Sequence, residues 1–224
     1  MIPDRPSPSR HCLRRPLLLL LLLAALLVGA VAGLYPFLAP NHPADSPVMV
    51  IEGWLADAPL EEALAWADAH HVKTLYLTGG PISTGSWLAP WKSFPEMTLA
   101  RLQAMGVADR YDVRTFPAPE TRKDRTWISA VTLRDALGTN CPPAMTLASE
   151  GPHLRRSSLL FRRAFGDRCR IGTLPLTPTD FDSRDWWRCS AGVRCLLSEA
   201  IAYPYALLSR PGEEPRSPQH RGDP

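Results

Sequence analysis

The 224-residue chain is long enough to build one domain with a real core, and 45% of its residues are hydrophobic. Its formal net charge of +3 resides in residues 1–16, where Arg5, Arg10, Arg14 and Arg15 stand against a single Asp4. Residues 39–208 sum to zero, with 15 Arg and 3 Lys against 18 Asp plus Glu, which excludes a nucleic-acid footprint and makes the basic balance a statement about membrane topology.

Residues 17–34 form an uncharged apolar run of 18 residues, prolonged through Tyr35, Pro36, Phe37 and Leu38. That length crosses a bilayer core as a helix, and the arginines before it put residues 1–16 in the cytoplasm and the domain outside. Ala30, Val31 and Ala32 also match the small-x-small pattern of a signal-peptide cleavage site. The continuation past Ala32 favours a retained anchor over 17–38, and either reading exports the domain. Beyond a linker at 39–47, short apolar runs alternate with longer amphipathic ones. Strands are expected at 48–51, 74–77, 111–116, 144–148 and 169–174, and helices at 59–69, 95–105, 126–137, 153–165 and 193–208. Such alternation predicts an α/β domain over 48–208: a three-layer, doubly wound, Rossmann-like parallel sheet of about five strands, order 3-2-1-4-5. Residues 209–224, with Pro211, Pro215, Pro218 and Pro224, read as a disordered tail. The long connection at 79–94 carries Trp87 and Trp91, which suit a lid as well as they suit packing on the domain or resting on a membrane surface.

Cys12 falls on the cytoplasmic side, leaving Cys141, Cys169, Cys189 and Cys195 in a compartment where disulfides persist. Cys141 and Cys169 precede strands expected to be neighbours, so the pairs Cys141 with Cys169 and Cys189 with Cys195 are expected. No C-x-x-C spacing supports a metal site.

In a doubly wound sheet ligands bind beyond the carboxyl ends of the strands, where strand order reverses, here between the first and fourth strands. The first strand ends at Glu52, Gly53 and Trp54, the second at Gly79 and Gly80, and the third leads into a polar turn containing Asp124, Arg125 and Thr126. Asp124 equally suits a helix N-cap. The fourth strand ends at Ser149 and runs into a helix on which His153, Arg156 and Ser157, spaced i, i+3, i+4, share one face. An imidazole, a guanidinium and a hydroxyl beside free N–H groups at a helix start point to an anion. No G-x-G-x-x-G, G-x-x-x-x-G-K-[ST], G-x-S-x-G or H-E-x-x-H occurs, which removes the dinucleotide fingerprint, the P-loop, the usual serine hydrolase and the zincin.

Gly53, the Gly79-Gly80 turn, Glu96 opening the next helix, the turn at 124–126, and Ser149 followed by His153 and Arg156 together resemble, in order and spacing over about 48–208, the ElyC/SanA/YdcF family of bacterial Rossmann-like domains. The first strand ends Ile-Glu-Gly where many members have Leu-Gly-Gly. The resemblance implies a single-pass protein of the bacterial inner membrane with its domain in the periplasm, engaged in envelope biogenesis. Its partner would be a phosphorylated or lipid-linked envelope small molecule. On an enzymatic reading, a phosphoryl or glycosyl transfer or hydrolysis, His153 is the acid or base and Glu52 or Asp124 its partner carboxylate. The ligand would then be bound by Gly53, Gly79, Gly80, Glu96, Arg125, Thr126, Ser149, Arg156 and Ser157. The alternatives are a non-catalytic module binding an anionic or nucleotide-like ligand, and a scaffold. Cofactor and oligomeric state are not legible in the sequence.

Overall fold

A computed structural model describes residues 10–83, 85 and 87–209. The fold is α/β: α1 (Arg10–Leu38), β1 (Val48–Glu52), α2 (Asp57–Ala69), β2 (Thr74–Gly79), α3 (Phe94–Ala104), β3 (Asp112–Pro117), α4 (Arg125–Leu137), β4 (Ala144–Glu150), α5 (Gly151–Phe165), β5 (Arg170–Leu176) and α6 (Ser190–Leu208). All five strands run parallel in the order β3-β2-β1-β4-β5, as the alternation predicts. Most of the tail expected at 209–224 lies outside the described residues.

Every residue of β1, Val-Met-Val-Ile-Glu, is buried, as a central parallel strand covered on both faces requires. Met49, Ile51, Leu75 and Leu77 pack under α2 and α3 with Leu60, Leu64 and Leu102. Val48, Val50, Tyr76, Met145 and Leu147 turn the other way, toward Ala130 and Leu133 of α4 and Leu154, Phe161 and Phe165 of α5. Side chains alternate across a strand, so residue parity decides which helical layer each strand-end residue meets.

Glu150 ends β4 and Gly151 begins α5 with no intervening loop, so α5 starts two residues earlier than the expected 153, with Pro152 in its first turn. The segment Pro16–Leu38 of α1 is long and apolar enough to cross a membrane. Its side chains are exposed from residue 16 to 30. Val31, Leu34, Tyr35 and Leu38 then join a third apolar cluster with Phe181, Trp186, Val193 and Leu196. A Cβ on Gly151 would collide with the Tyr35 hydroxyl and lie 3.1 Å from the Ala39 Cβ, so a glycine there lets α1 close on the start of α5.

Cys141, Cys169, Cys189 and Cys195 are free thiols. The Cys169 thiol is pushed up to about 12 by burial and then by its hydrogen-bonded neighbour Cys141, so this expected pair is adjacent without a bond between the sulfurs. The expected pairing of Cys189 with Cys195 does not fit the fold. Cys189 is the N-cap of α6, its sulfur accepting from the Gly192 N–H at 3.4 Å, and Cys195 lies further up the helix. Six residues of helix rise about 9 Å, beyond the roughly 7 Å that a disulfide spans between Cα atoms.

Candidate functional site

The parity that turns Val48 and Val50 toward α5 turns Glu52 the same way, and the parity of Met145 and Leu147 does so for Ser149. Glu52 is 4% exposed and Ser149 and Ser157 are fully buried. A buried carboxyl group needs hydrogen-bond partners, and both serine hydroxyls supply them. Ser149 Oγ donates to Glu52 Oε2, and Ser157 Oγ lies 3.2 Å from both carboxylate oxygens.

His153 stands one turn before Ser157 on the same face of α5, and its Nε2 lies 3.8 Å from Glu52 Oε1. On its other side, Nδ1 is 2.9 Å from Glu199 Oε1 and 2.9 Å from Arg156 Nη2. One ring nitrogen cannot both donate to the carboxylate and accept from the guanidinium. Arg156 Nη2 already donates to Glu199 Oε1 at 2.8 Å, and the carboxylate is the stronger acceptor, so we assign the Nδ1 proton to the Glu199 bond. That tautomer leaves the lone pair of neutral His153 on Nε2, toward Glu52. The Trp54 ring meets the imidazole edge to face, with centroids 5.2 Å apart.

Glu199 is 8% exposed, and Arg156 grips it with two parallel bonds, Nε to Oε2 at 2.7 Å and Nη2 to Oε1 at 2.8 Å. Burial pushes the Glu199 carboxyl up, but the bonds from Arg156 and His153 outweigh it and hold the group at about 2. Burial likewise works against the charge of Arg156, and Glu199 more than offsets it, raising the guanidinium above its ordinary value. Glu199 is not among the site residues expected from the sequence. The signal was present: Glu199 is the one acid in the otherwise apolar, singly basic sequence of α6.

A row in which carboxylic and basic side chains alternate therefore runs Glu52, His153, Glu199, Arg156. Chemically it is an imidazole whose tautomer is fixed by a buried carboxylate and whose free nitrogen faces a second carboxylate, the arrangement of an oriented general base or acid. Arg156, expected to meet an anion, is turned to Glu199. Within the cluster, His153 and Arg156 are the partly accessible members, with 18% and 21% of their side chains exposed, while Glu52 and Glu199 are buried.

The other expected ligand-binding residues form separate groups on the same rim. Gly53 and Gly79 face the α3 side of the sheet: a Cβ on Gly53 would lie 2.8 Å from the Phe94 carbonyl carbon, and one on Gly79 would lie 3.2 Å from the Phe94 Cβ. Gly80 has open space where a side chain would go, and its carbonyl accepts from Phe94 N at 3.0 Å. Glu96 completes a capping box, its Oε2 accepting from the backbone N–H groups of Lys92 and Ser93 at 2.9 and 3.0 Å. These bonds, the Lys92 N–H first, hold its carboxyl below the ordinary value. Asp124 and Arg125 are exposed and Thr126 is buried at the start of α4. Asp124 is left-handed (φ 53°) and makes no side-chain cap bond, so it is not the N-cap donor-binder that the sequence also allows. Glu150, beside the cluster, has its carboxyl raised by burial and then by Asp180.

Among the described residues no group of three or more His, Cys, Asp or Glu side chains is arranged to hold a metal ion. Comparison with family models, curated proteins and solved structures finds no match for this chain.

Proposed function

We propose that this protein is a single-pass inner-membrane protein of the bacterial envelope whose periplasmic domain acts on a phosphorylated or lipid-linked precursor at the carboxyl-end rim of its sheet. The observation that carries the proposal is His153, held at Nδ1 by Glu199 and facing Glu52 with Nε2, in a domain joined to a helix of membrane-spanning length. A group that only stabilises a fold does not need a fixed tautomer with the second nitrogen turned to a buried carboxylate. In this reading Nε2 moves a proton to or from the reacting oxygen, Glu199 stabilises the imidazolium that results, and Glu52 orients the attacking or leaving group. Arg156 acts through Glu199 and is a positioning residue. The backbone N–H groups of Gly151 and His153 in the first turn of α5 supply positive potential for the anion. Resemblance to the ElyC/SanA/YdcF family, in Gly53, Gly79, Gly80, Glu96, Asp124, Arg125, Thr126, Ser149, His153 and Arg156, supports the envelope assignment. Oxidation of Cys141 with Cys169 belongs to the same reading, since the two thiols are close enough for Cys141 to raise Cys169.

The test is complementation of an envelope defect by His153→Ala and Glu52→Gln, each checked for normal abundance, alongside product analysis with polyprenyl phosphates. Loss of complementation and of product supports catalysis. Saturable binding with no product in the wild type removes it in favour of a binding module, and full complementation by His153→Ala removes His153 from the function altogether.

A further inference from the structure

The carboxyl-end rim is also where α1 leaves the domain. Phe181, Trp186, Val193 and Leu196, the partners of its last turns, all lie between the end of β5 and the second turn of α6. Tyr35 and Ala39 sit against Gly151 at the start of α5, and Arg155 donates to the Phe37 carbonyl with its guanidinium 4.1 Å from that ring. Past Ala39 the chain descends along β4 and β5 toward their amino ends: Ala44 N donates to Thr146 Oγ1 at 3.0 Å and Ser46 Oγ to the Ala144 carbonyl at 2.6 Å. The exposed part of α1 therefore projects from the domain on the side of the rim that carries His153.

Helix arithmetic fixes how far. A hydrocarbon core about 30 Å thick takes about 20 residues at 1.5 Å each. Residues 16–30, free of the domain, supply only about 22 Å. Counted from Pro16, just after Arg14 and Arg15, the required length ends near Tyr35, the residue against Gly151. The turns docked on the domain thus fall within the membrane thickness and bring the rim level with the headgroups. The surface of that rim agrees. Apart from α1 and α6, the exposed large hydrophobic residues are Trp87 (96%), Leu88 (94%), Trp187, Trp91 and Met105, and only Met105 lies near the opposite edge. On α6, Leu197 beside the docked Leu196 is 51% exposed, and Ile201, Tyr205, Leu207 and Leu208 are exposed farther along the same helix. Charged side chains stand at both edges, Asp109, Arg110, Asp167 and Arg168 on the turns of the opposite one and Asp124, Arg125, Asp182 and Arg184 on the rim, so the apolar residues and not the charges distinguish the two. Tryptophan favours the membrane interface, where its ring is half-solvated.

We propose that the rim bearing His153 lies against the bilayer, with Trp87, Leu88, Trp187 and Leu197 seated in the headgroup region of the leaflet on the domain's side, so that the site takes the polar head of an amphiphile whose tail stays in the membrane. The inference rests on the reading of α1 as a spanning anchor. Its test places the photo-crosslinker p-benzoylphenylalanine singly at positions 26, 87, 187 and 109 of the full chain, reconstituted in phosphatidylethanolamine and phosphatidylglycerol vesicles. Position 26 reports the anchor, 87 and 187 the rim, and 109 the opposite edge. Phospholipid adducts at 87 and 187, at yields comparable with position 26 and lost at 109, are expected. Lipid adducts at 26 without any at 87 and 187 overturn this inference and leave the anchor standing. Adducts joining two copies through 87 or 187 overturn it in favour of a dimer face. No lipid adduct at 26 removes the anchor, and this inference with it.

Discussion

Replacing Glu199 by Gln keeps the shape of the side chain and removes the one charge that both Arg156 and His153 are turned to. The wild-type carboxyl is held at about 2 against an ordinary 4.5, the bonds from Arg156 and His153 overcoming the opposing effect of burial. At roughly 1.4 kcal/mol for each pH unit, that difference is worth about 3 kcal/mol, in the range expected for breaking a buried ion pair. A carboxyl whose folded value lies below its unfolded one contributes stability above the unfolded value and loses it as pH falls through the folded one. Wild-type stability from this group is thus complete above 4.5 and disappears between 4.5 and about 2. Urea unfolding of the full chain in a non-ionic detergent should show Glu199→Gln less stable by about 3 kcal/mol at neutral pH, with a flatter acid limb. The double variant with Arg156→Met should recover part of the loss, because it removes the guanidinium left buried without its partner. A loss below about 1 kcal/mol, or acid limbs of equal slope in the two proteins, would show that the Arg156 and Glu199 pair is not the buried, fully engaged pair described above.

Ser157→Ala leaves Glu52 with Ser149 as its remaining hydroxyl donor, and calorimetry should register a cost of about 1–3 kcal/mol that is smaller for Ser157→Thr. Gly53→Ala drives a methyl against the Phe94 carbonyl and should lower the melting temperature by the equivalent of about 1–3 kcal/mol, whereas Gly80→Ala, with open space, should cost less. Peptide mapping of the full chain after oxidation should find Cys141 joined to Cys169 and no peptide joining Cys189 to Cys195; a Cys189–Cys195 bridge would require α6 to unwind its first turns.

Periodicity carries most of the fold in the sequence itself. Five short apolar runs alternating with amphipathic ones require a parallel sheet covered on both faces, and the structure has its strands in the expected order. Half of the site is legible for the same reason. Alternation along β1 and β4 sends Glu52 and Ser149 to one face, and the helical spacing of His153, Arg156 and Ser157 sends them to meet it. Local pattern has no access to the rest, because it depends on which surfaces meet across long stretches of chain. Glu199 lies 46 residues from His153, and only the packing of α6 along α5 makes it the anchor of the imidazole and turns Arg156 inward. Parity places Gly53 and Gly79 on the other side of the sheet from Glu52, separating residues that a strand-end inventory puts together. Sequence by itself determined the layers, the strand order and the rim; tertiary packing decided which polar groups on that rim face one another, because only the closed fold makes a buried charge find its partner.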